Sequence, residues 1–228
     1  MLAGSAFAAD SEAGFQSLFN GKDLTGWDGD PKLWSVKDGA ITGQTSAEQP
    51  LKANTFLIWT NGTTADFELR FSYKMVPNND RNFANSGVQY RSKVFDAATW
   101  SVGGYQADFE AGPNYSGILY DERGGAGGRQ IMAARGEKVV WDSDCKKQVT
   151  GSVGNSAEIQ AAIKSGDWNE FVVIAKGNRL QHFINGLPTV DVTDECESKR
   201  LKEGVLALQI HTGPPMTVQF KNIRLKKL

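Results

Sequence analysis

Between one turn signal and the next, this chain alternates apolar and polar residues with a period of two, the spacing of a β-strand with one buried face. Residues 66–76, DFELRFSYKMV, are the cleanest case. Phe67, Leu69, Phe71 and Tyr73 fall on one side; Glu68, Arg70, Ser72 and Lys74 fall on the other. The same rhythm returns in NSGVQYRS around Asn85, GGYQADFE around Tyr105 and VLALQIHTG around Leu208. Asn20-Gly21, Asp38-Gly39, Lys176-Gly177-Asn178 and Asn185-Gly186 supply turns between such runs. WNEFVVIAKGNRLQHFINGLPTVDV reads as three strands, KVVWD as one more, and MTVQFKNIRLKKL closes the chain. The only convincing helical stretch is 156–164, SAEIQAAIK, with Ser156 as its candidate cap. Strands hardly alternate with helices. That excludes a parallel α/β sheet and predicts an all-β sandwich or jelly roll.

The 228 residues contain no linker and no internal repeat, so a single domain over residues 13–228 is the economical reading. Residues 1–12 are read as the remnant of a signal peptide or a disordered lead, because small residues in Ala6-Phe7-Ala8 and Phe7-Ala8-Ala9 precede Asp10 as they do at a cleavage point. The expected location is periplasmic or secreted. Cys145 and Cys196 lie in the polar stretches DSDCKKQ and TDECESK, with no CxxC and no Cys/His cluster. A disulfide joining two loops accounts for them better than a zinc site. Lys plus Arg number 25 against 26 Asp plus Glu, so no cationic excess exists to neutralise phosphates and nucleic acid is excluded as a partner. No apolar run approaches the roughly 18 residues of a membrane span.

The polar face of three strands carries the functional signal. Val88 and Tyr90, Tyr105, Ala107 and Phe109, and Leu206, Leu208 and Ile210 share the core side. Opposite them stand Gln89 and Arg91, Gln106 and Asp108, and Gln209 and His211. A solvated sheet face mixes Thr, Lys, Ser and Glu. This face instead gathers amides, a guanidinium, a carboxylate and one of only two histidines, which suits a polar substrate. Asp121, Glu122 and Arg123 leave the end of the apolar run GILY and enter a glycine-rich loop over 121–136. That loop does not join a strand to a helix, so it is no phosphate loop. Trp27, Trp34, Trp59 and Trp168, beside turns or strand ends, are read as packing groups, and His182 as a solvated or cross-strand histidine.

FQSLFNGKDLTGW, NSGVQYR, GYQADFE, GILYDE, GDWNEFVVIAKGNRLQHFINGLP and ALQIHTGPPMTVQFKNIRLKKL follow one another in the chain. With these six motifs in order, residues 13–228 resemble the 3-keto-disaccharide hydrolase family. The resemblance implies a concanavalin A-like jelly-roll sandwich of two curved antiparallel sheets whose concave face holds carbohydrate. It also implies cleavage of glycosides oxidised to a ketone at C3. The family's polar signature falls on Asn85, Arg91, Gln106, Asp108, Asp121, Glu122, Gln209 and His211. Gln89 and Glu68 join the expected substrate contacts. Phe109-Glu110 departs from the aliphatic-glycine pair frequent in relatives, which leaves Glu110 outside the set.

That activity explains the residue types. A C3 ketone acidifies the proton on C2; a base removes it, and the enolate expels the C1 substituent. Such a site needs a base, a group for the enolate oxygen and an acid for the leaving group. His211 is the expected base. Either Arg91 or a divalent cation stabilises the oxyanion. Asp108 or Glu122 serves as acid, or with His211 ligates that cation. A non-catalytic lectin-like carbohydrate-binding module is the alternative reading. It needs amides, an Asp and an aromatic platform, but no Arg–His–carboxylate set.

Overall fold

The computed structural model describes residues 13–228; the stretch read as a signal remnant, residues 1–12, lies outside the described residues. The first strands in chain order are β1 (Gln16–Ser17), β2 (Trp27–Asp28), β3 (Trp34–Lys37), β4 (Ala40–Gln44), β5 (Thr55–Trp59) and β6 (Phe67–Pro77). Then come β7 (Asn85–Asp96), β8 (Ser101–Glu110), β9 (Leu119–Glu122), β10 (Ile131–Ala133), β11 (Glu137–Trp141) and β12 (Lys147–Ser152). After helix α1 (Ser156–Ala161) follow β13 (Asn169–Lys176), β14 (Arg179–Ile184), β15 (Leu187–Asp194), β16 (Val205–Ile210) and β17 (Met216–Lys227).

They form two sheets. The first has the order β12-β11-β15-β14-β13-β6-β17-β4-β3, with β1 also on β17; the second has the order β10-β9-β8-β7-β16-β5-β2. Only β11 and β15 pair in parallel among these strands; the pairings that carry the polar face, β7–β8, β8–β9, β7–β16 and β5–β16, are antiparallel. The chain crosses between sheets repeatedly, as at β5, β6 and β7, which is the habit of a sandwich. Among the described residues, no helix is long and apolar enough to cross a membrane.

Local sequence explains much of this. Asp38-Gly39 and Asn185-Gly186 all take positive φ and close two-residue turns between Lys37 and Ala40 and between Ile184 and Leu187. β6 alternates as its sequence predicts, burying Phe67, Leu69, Phe71 and Tyr73. Facing them from the second sheet are Val88, Tyr90, Tyr105, Ala107, Phe109, Leu208 and Ile210, all in one hydrophobic core. Tyr73 stacks on Phe109 with ring centroids 4.0 Å apart, so the sheets meet in direct aromatic contact. Each such side chain contributes roughly 2 kcal/mol by leaving water.

Several sequence expectations need correction. α1 is capped by Asn155, whose side chain accepts from the Ala157 and Glu158 amides, so Ser156 is the first helical residue. The expected loop over 121–136 starts two residues later, since Asp121 and Glu122 belong to β9, and it contains β10. His182 is a cross-strand residue, opposite Val173 and Val190, and is not solvated. It is fully buried between the sheets, where its Nε2 lies 2.9 Å from the Tyr90 hydroxyl, and burial lowers its pKa to about 3. The expected disulfide is present: Cys145 and Cys196, each in a loop, are joined with Cα atoms 4.8 Å apart, and Cys196 is fully buried. Nearby, Arg129 makes two hydrogen bonds to Asp194, of 2.8 and 2.7 Å, and Tyr105 donates to the same carboxylate.

Candidate active site

β8 presents Gln106 and Asp108 away from the core, and its neighbours in the second sheet bring further polar groups beside them. β7 contributes Asn85 and Gln89, and β16 contributes Gln209, with His211 immediately after its end. In β9, Tyr120 lies opposite Gln106 and Glu122 opposite Gly104, so Tyr120 and Glu122 share this outer face while Asp121 turns inward. A Cβ on Gly87 would stand 2.6 Å from the Gln106 side chain; only glycine there leaves Gln106 room to lie across the sheet.

These side chains are wired by amides. Gln89 and Gln209 each donate from Nε2 to Gln106 Oε1, the latter over 3.0 Å. Gln106 therefore turns its own amide nitrogen to Asp108 Oδ1, 2.9 Å away. Asn85 donates to Asp108 Oδ2 over 3.4 Å. Gln209 Nε2 also reaches Glu122 Oε2 at 3.2 Å, and Asn54 donates to Glu122 Oε1 at 3.1 Å. Three glutamines on three adjacent strands thus link two carboxyl groups.

A cavity of about 380 Å³ opens over this network, within the usual range for small-ligand sites. Asn85, Gln106, Asp108, Glu122 and His211 line it, so five of the expected site residues meet there. Gln89 and Gln209 are fully buried in the layer that holds Gln106. Asn54, Tyr115, Ile118, Tyr120, Gln130 and Ile131 complete the wall, and none of them was singled out from sequence. Tyr120 was the most accessible to that reasoning, because alternation continued through GILYDE puts it beside Glu122. Asn54 and Tyr115 lie in connections, where no periodicity marks a residue. The tyrosines and Ile131 give the rim the apolar surface that a sugar ring's C–H face meets well.

Burial pushes the Asp108 carboxyl well above the ordinary carboxylate range. The amides of Gln106 and Asn85 oppose that shift, while the charges of Glu110 and Glu122 reinforce it. Burial raises the Glu122 pKa as well, against the Asn54 hydrogen bond and the nearby charges of His211 and Arg123. His211 is half-buried, and its Nδ1 meets the Thr212 carbonyl, which assigns the ring proton to Nδ1 in the neutral form. Its Nε2 has no hydrogen-bond partner among the described residues and is an available proton acceptor.

Three expected site residues are elsewhere. Arg91 sits at a bulge in which Arg91 and Ser92 together oppose Gly104, and its φ is 49°. The bulge turns its guanidinium inward, where it donates to the carbonyls of Ala65 and Gly177 and pairs with Asp66 at 2.8 Å. Asp121 faces the core and accepts the Ala126 and Arg129 amides, each at 2.7 Å, which pins the glycine-rich loop. Glu68 lies on the other sheet, paired with Arg70. Asp108, Glu122 and His211 share the cavity, yet no group of three His, Cys, Asp or Glu among the described residues is arranged to hold a metal ion.

The family model of the 3-keto-alpha-glucoside-1,2-lyase-like domain matches residues 14–226. No curated protein matches the chain. Among solved structures, a glycosyl hydrolase candidate from Parabacteroides distasonis is similar at 22% identity, with 94% of each chain covered and a TM-score of 0.59. The carbohydrate-binding module CBM66 of Bacillus subtilis has 16% identity and a TM-score of 0.56, covering 89% of this chain and 96% of its own. A galectin-like protein, also from Bacillus subtilis, has 12% identity, 90% coverage of each chain and a TM-score of 0.54. At these identities the structural likeness establishes the sandwich fold alone.

Proposed function

Since the chain belongs to the 3-keto-alpha-glucoside-1,2-lyase-like family, we propose that it cleaves glucosides and disaccharides carrying a ketone at C3, in a periplasmic or secreted setting. One observation carries the reading. A single cavity brings together an imidazole with an unengaged Nε2 and two carboxyl groups whose pKa values burial raises.

His211 Nε2 takes the proton from C2, and the electron pair moves to the ketone oxygen as an enolate. Arg91 is turned inward and engaged there, so it does not meet that oxygen. Asp108 takes its place: burial raises its carboxyl pKa and so favours the protonated form, which donates a hydrogen bond to developing negative charge. Gln106 and Asn85 hold that carboxyl, and the glutamine network holds Gln106. The enolate then collapses, the C1–O bond breaks, and Glu122 protonates the departing oxygen. Addition of water across the resulting C1–C2 double bond completes net hydrolysis. Tyr115, Tyr120 and Ile131 orient the sugar ring. The Cys145–Cys196 disulfide fits an oxidising compartment.

The test is turnover of a glucose disaccharide oxidised at C3 of one ring by purified protein, with and without chelator, followed by mass spectrometry and by proton exchange at C2. The expected result is cleavage with exchange at C2, and no cleavage of the unoxidised sugar. Binding of either sugar without cleavage would replace this reading by the lectin-like one.

A further inference from the structure

A second cleft, of about 560 Å³, adjoins the first, and Asn54 lines both. Asn54 is the wall between them. Its side chain donates to Glu122 and accepts the Thr212 amide at 2.9 Å, while its carbonyl accepts from Arg123 at 3.1 Å. Arg123, next in sequence after Glu122, lines the second cleft with Leu33, Asp96, Ala98 and Trp100. Trp100 and Arg123 both hold left-handed backbone, with φ of 48° and 52°. Neither is Asn, Asp or Gly, which adopt that region readily, and strain of this kind gathers where a site demands a fixed side chain. Trp100 is half-buried and rests on an apolar cluster of Phe56, Ile58, Val102 and Ala207 on the outer face of the sheet. A braced indole beside charged and hydroxyl-bearing groups is the chemistry that meets a sugar ring, the apolar face on the aromatic and the hydroxyls at the edges.

We propose that this second cleft is the subsite for the other ring of a disaccharide, the one that leaves when the glycosidic bond breaks. The assignment rests on the glycoside-cleaving reading of the first cavity. It places the scissile oxygen at the Asn54 wall, where Glu122 stands, and so makes the protein selective for disaccharides over simple alkyl glycosides.

Two substrates separate the clefts: a glucose disaccharide with a C3 ketone on one ring, and methyl 3-keto-α-glucoside, which fills the first cavity only. Ala98→Trp, at an exposed turn on the cleft wall, fills the second cleft without touching the core. It is expected to raise KM for the disaccharide roughly tenfold or more, the scale of a lost anchor contact, and to leave kcat/KM for the methyl glycoside within about twofold. Trp100→Ala should act in the same direction and Trp100→Phe should restore most of the loss, with thermal melting to confirm folding. Equal effects on both substrates, or none on either, overturn the subsite. If wild-type protein cleaves neither substrate, the catalytic reading is what fails. Calorimetry with the unoxidised disaccharide and methyl α-glucoside then decides the subsite. Tighter disaccharide binding that Ala98→Trp abolishes supports it, and equal affinities in wild type overturn it.

Discussion

The molecule buries polar side chains in two places, and treats them differently. Between the sheets, Arg129 and Asp194 satisfy each other through paired hydrogen bonds, and Arg91 has carbonyl and carboxylate acceptors on several sides. On the outer face of the second sheet, Asp108 and Glu122 are held by amides but kept from easy ionisation, and His211 keeps a nitrogen free. Polar groups whose capacity is used up hold a fold; polar groups positioned with capacity to spare can act on a ligand.

The largest expected effect breaks the interior. Asp194→Ala strands the buried Arg129 guanidinium and should destabilise by about 3–5 kcal/mol, read by chemical denaturation, because an uncompensated buried charge remains. Any loss of activity should follow the loss of folded protein. On the outer face the pattern inverts. His211→Ala should lower turnover at saturation by roughly 100-fold or more with an unchanged melting temperature. Weaker binding with intact turnover would make His211 a binding group.

Acid and alkali sharpen the contrast. The folded pKa of His182 is depressed to about 3 from 6.5, so the unfolded chain binds the extra proton between those values. Stability from this group is present above pH 6.5 and is lost as pH falls toward 3; His182→Phe should flatten that acid limb. Asp108 has the opposite sign. Its folded pKa is raised, so the native state holds its proton longer, and stability declines as pH rises above the unfolded value of 3.8. Asp108→Asn removes the charge but sets its NH2 against one of the two amide donors, so it should flatten the decline and give a melting temperature that compares better with wild type at pH 8 than at pH 5, while reducing activity. The smallest effect is expected on the other sheet. Glu68→Gln weakens one half-buried pair with Arg70, by about 1 kcal/mol, and should leave turnover unchanged.

Period-two alternation in four runs was enough to read the sandwich, the inward set of Tyr90, Tyr105 and Phe109, and the outward set of Gln89, Gln106, Asp108 and Gln209. It worked because side-chain direction along a strand is a local property. Arg91 shows its limit. One residue beyond Tyr90, a bulge against β8 reverses the face, and Gly204 makes room for it, since a Cβ there would stand 2.2 Å from the Ser92 carbonyl oxygen. Asp121 and Glu122 show another. As neighbours in one strand they must face opposite ways, but that follows only once β9 is known to extend through both.

The order of residues along the chain therefore determined which segments are strands, which side of most of them is wet, where the tight turns fall and which chemistry a polar face could support. Tertiary structure alone decided that Asn54, Tyr115 and Tyr120 close over that chemistry, that Asp108 sits deep enough for burial to raise its carboxyl pKa, and that Arg91 and His182 belong to the interior. The physical reason is range. Alternation and turn preference act between neighbours in sequence, whereas burial, a bulge and a cavity wall depend on which distant strand or loop is packed alongside.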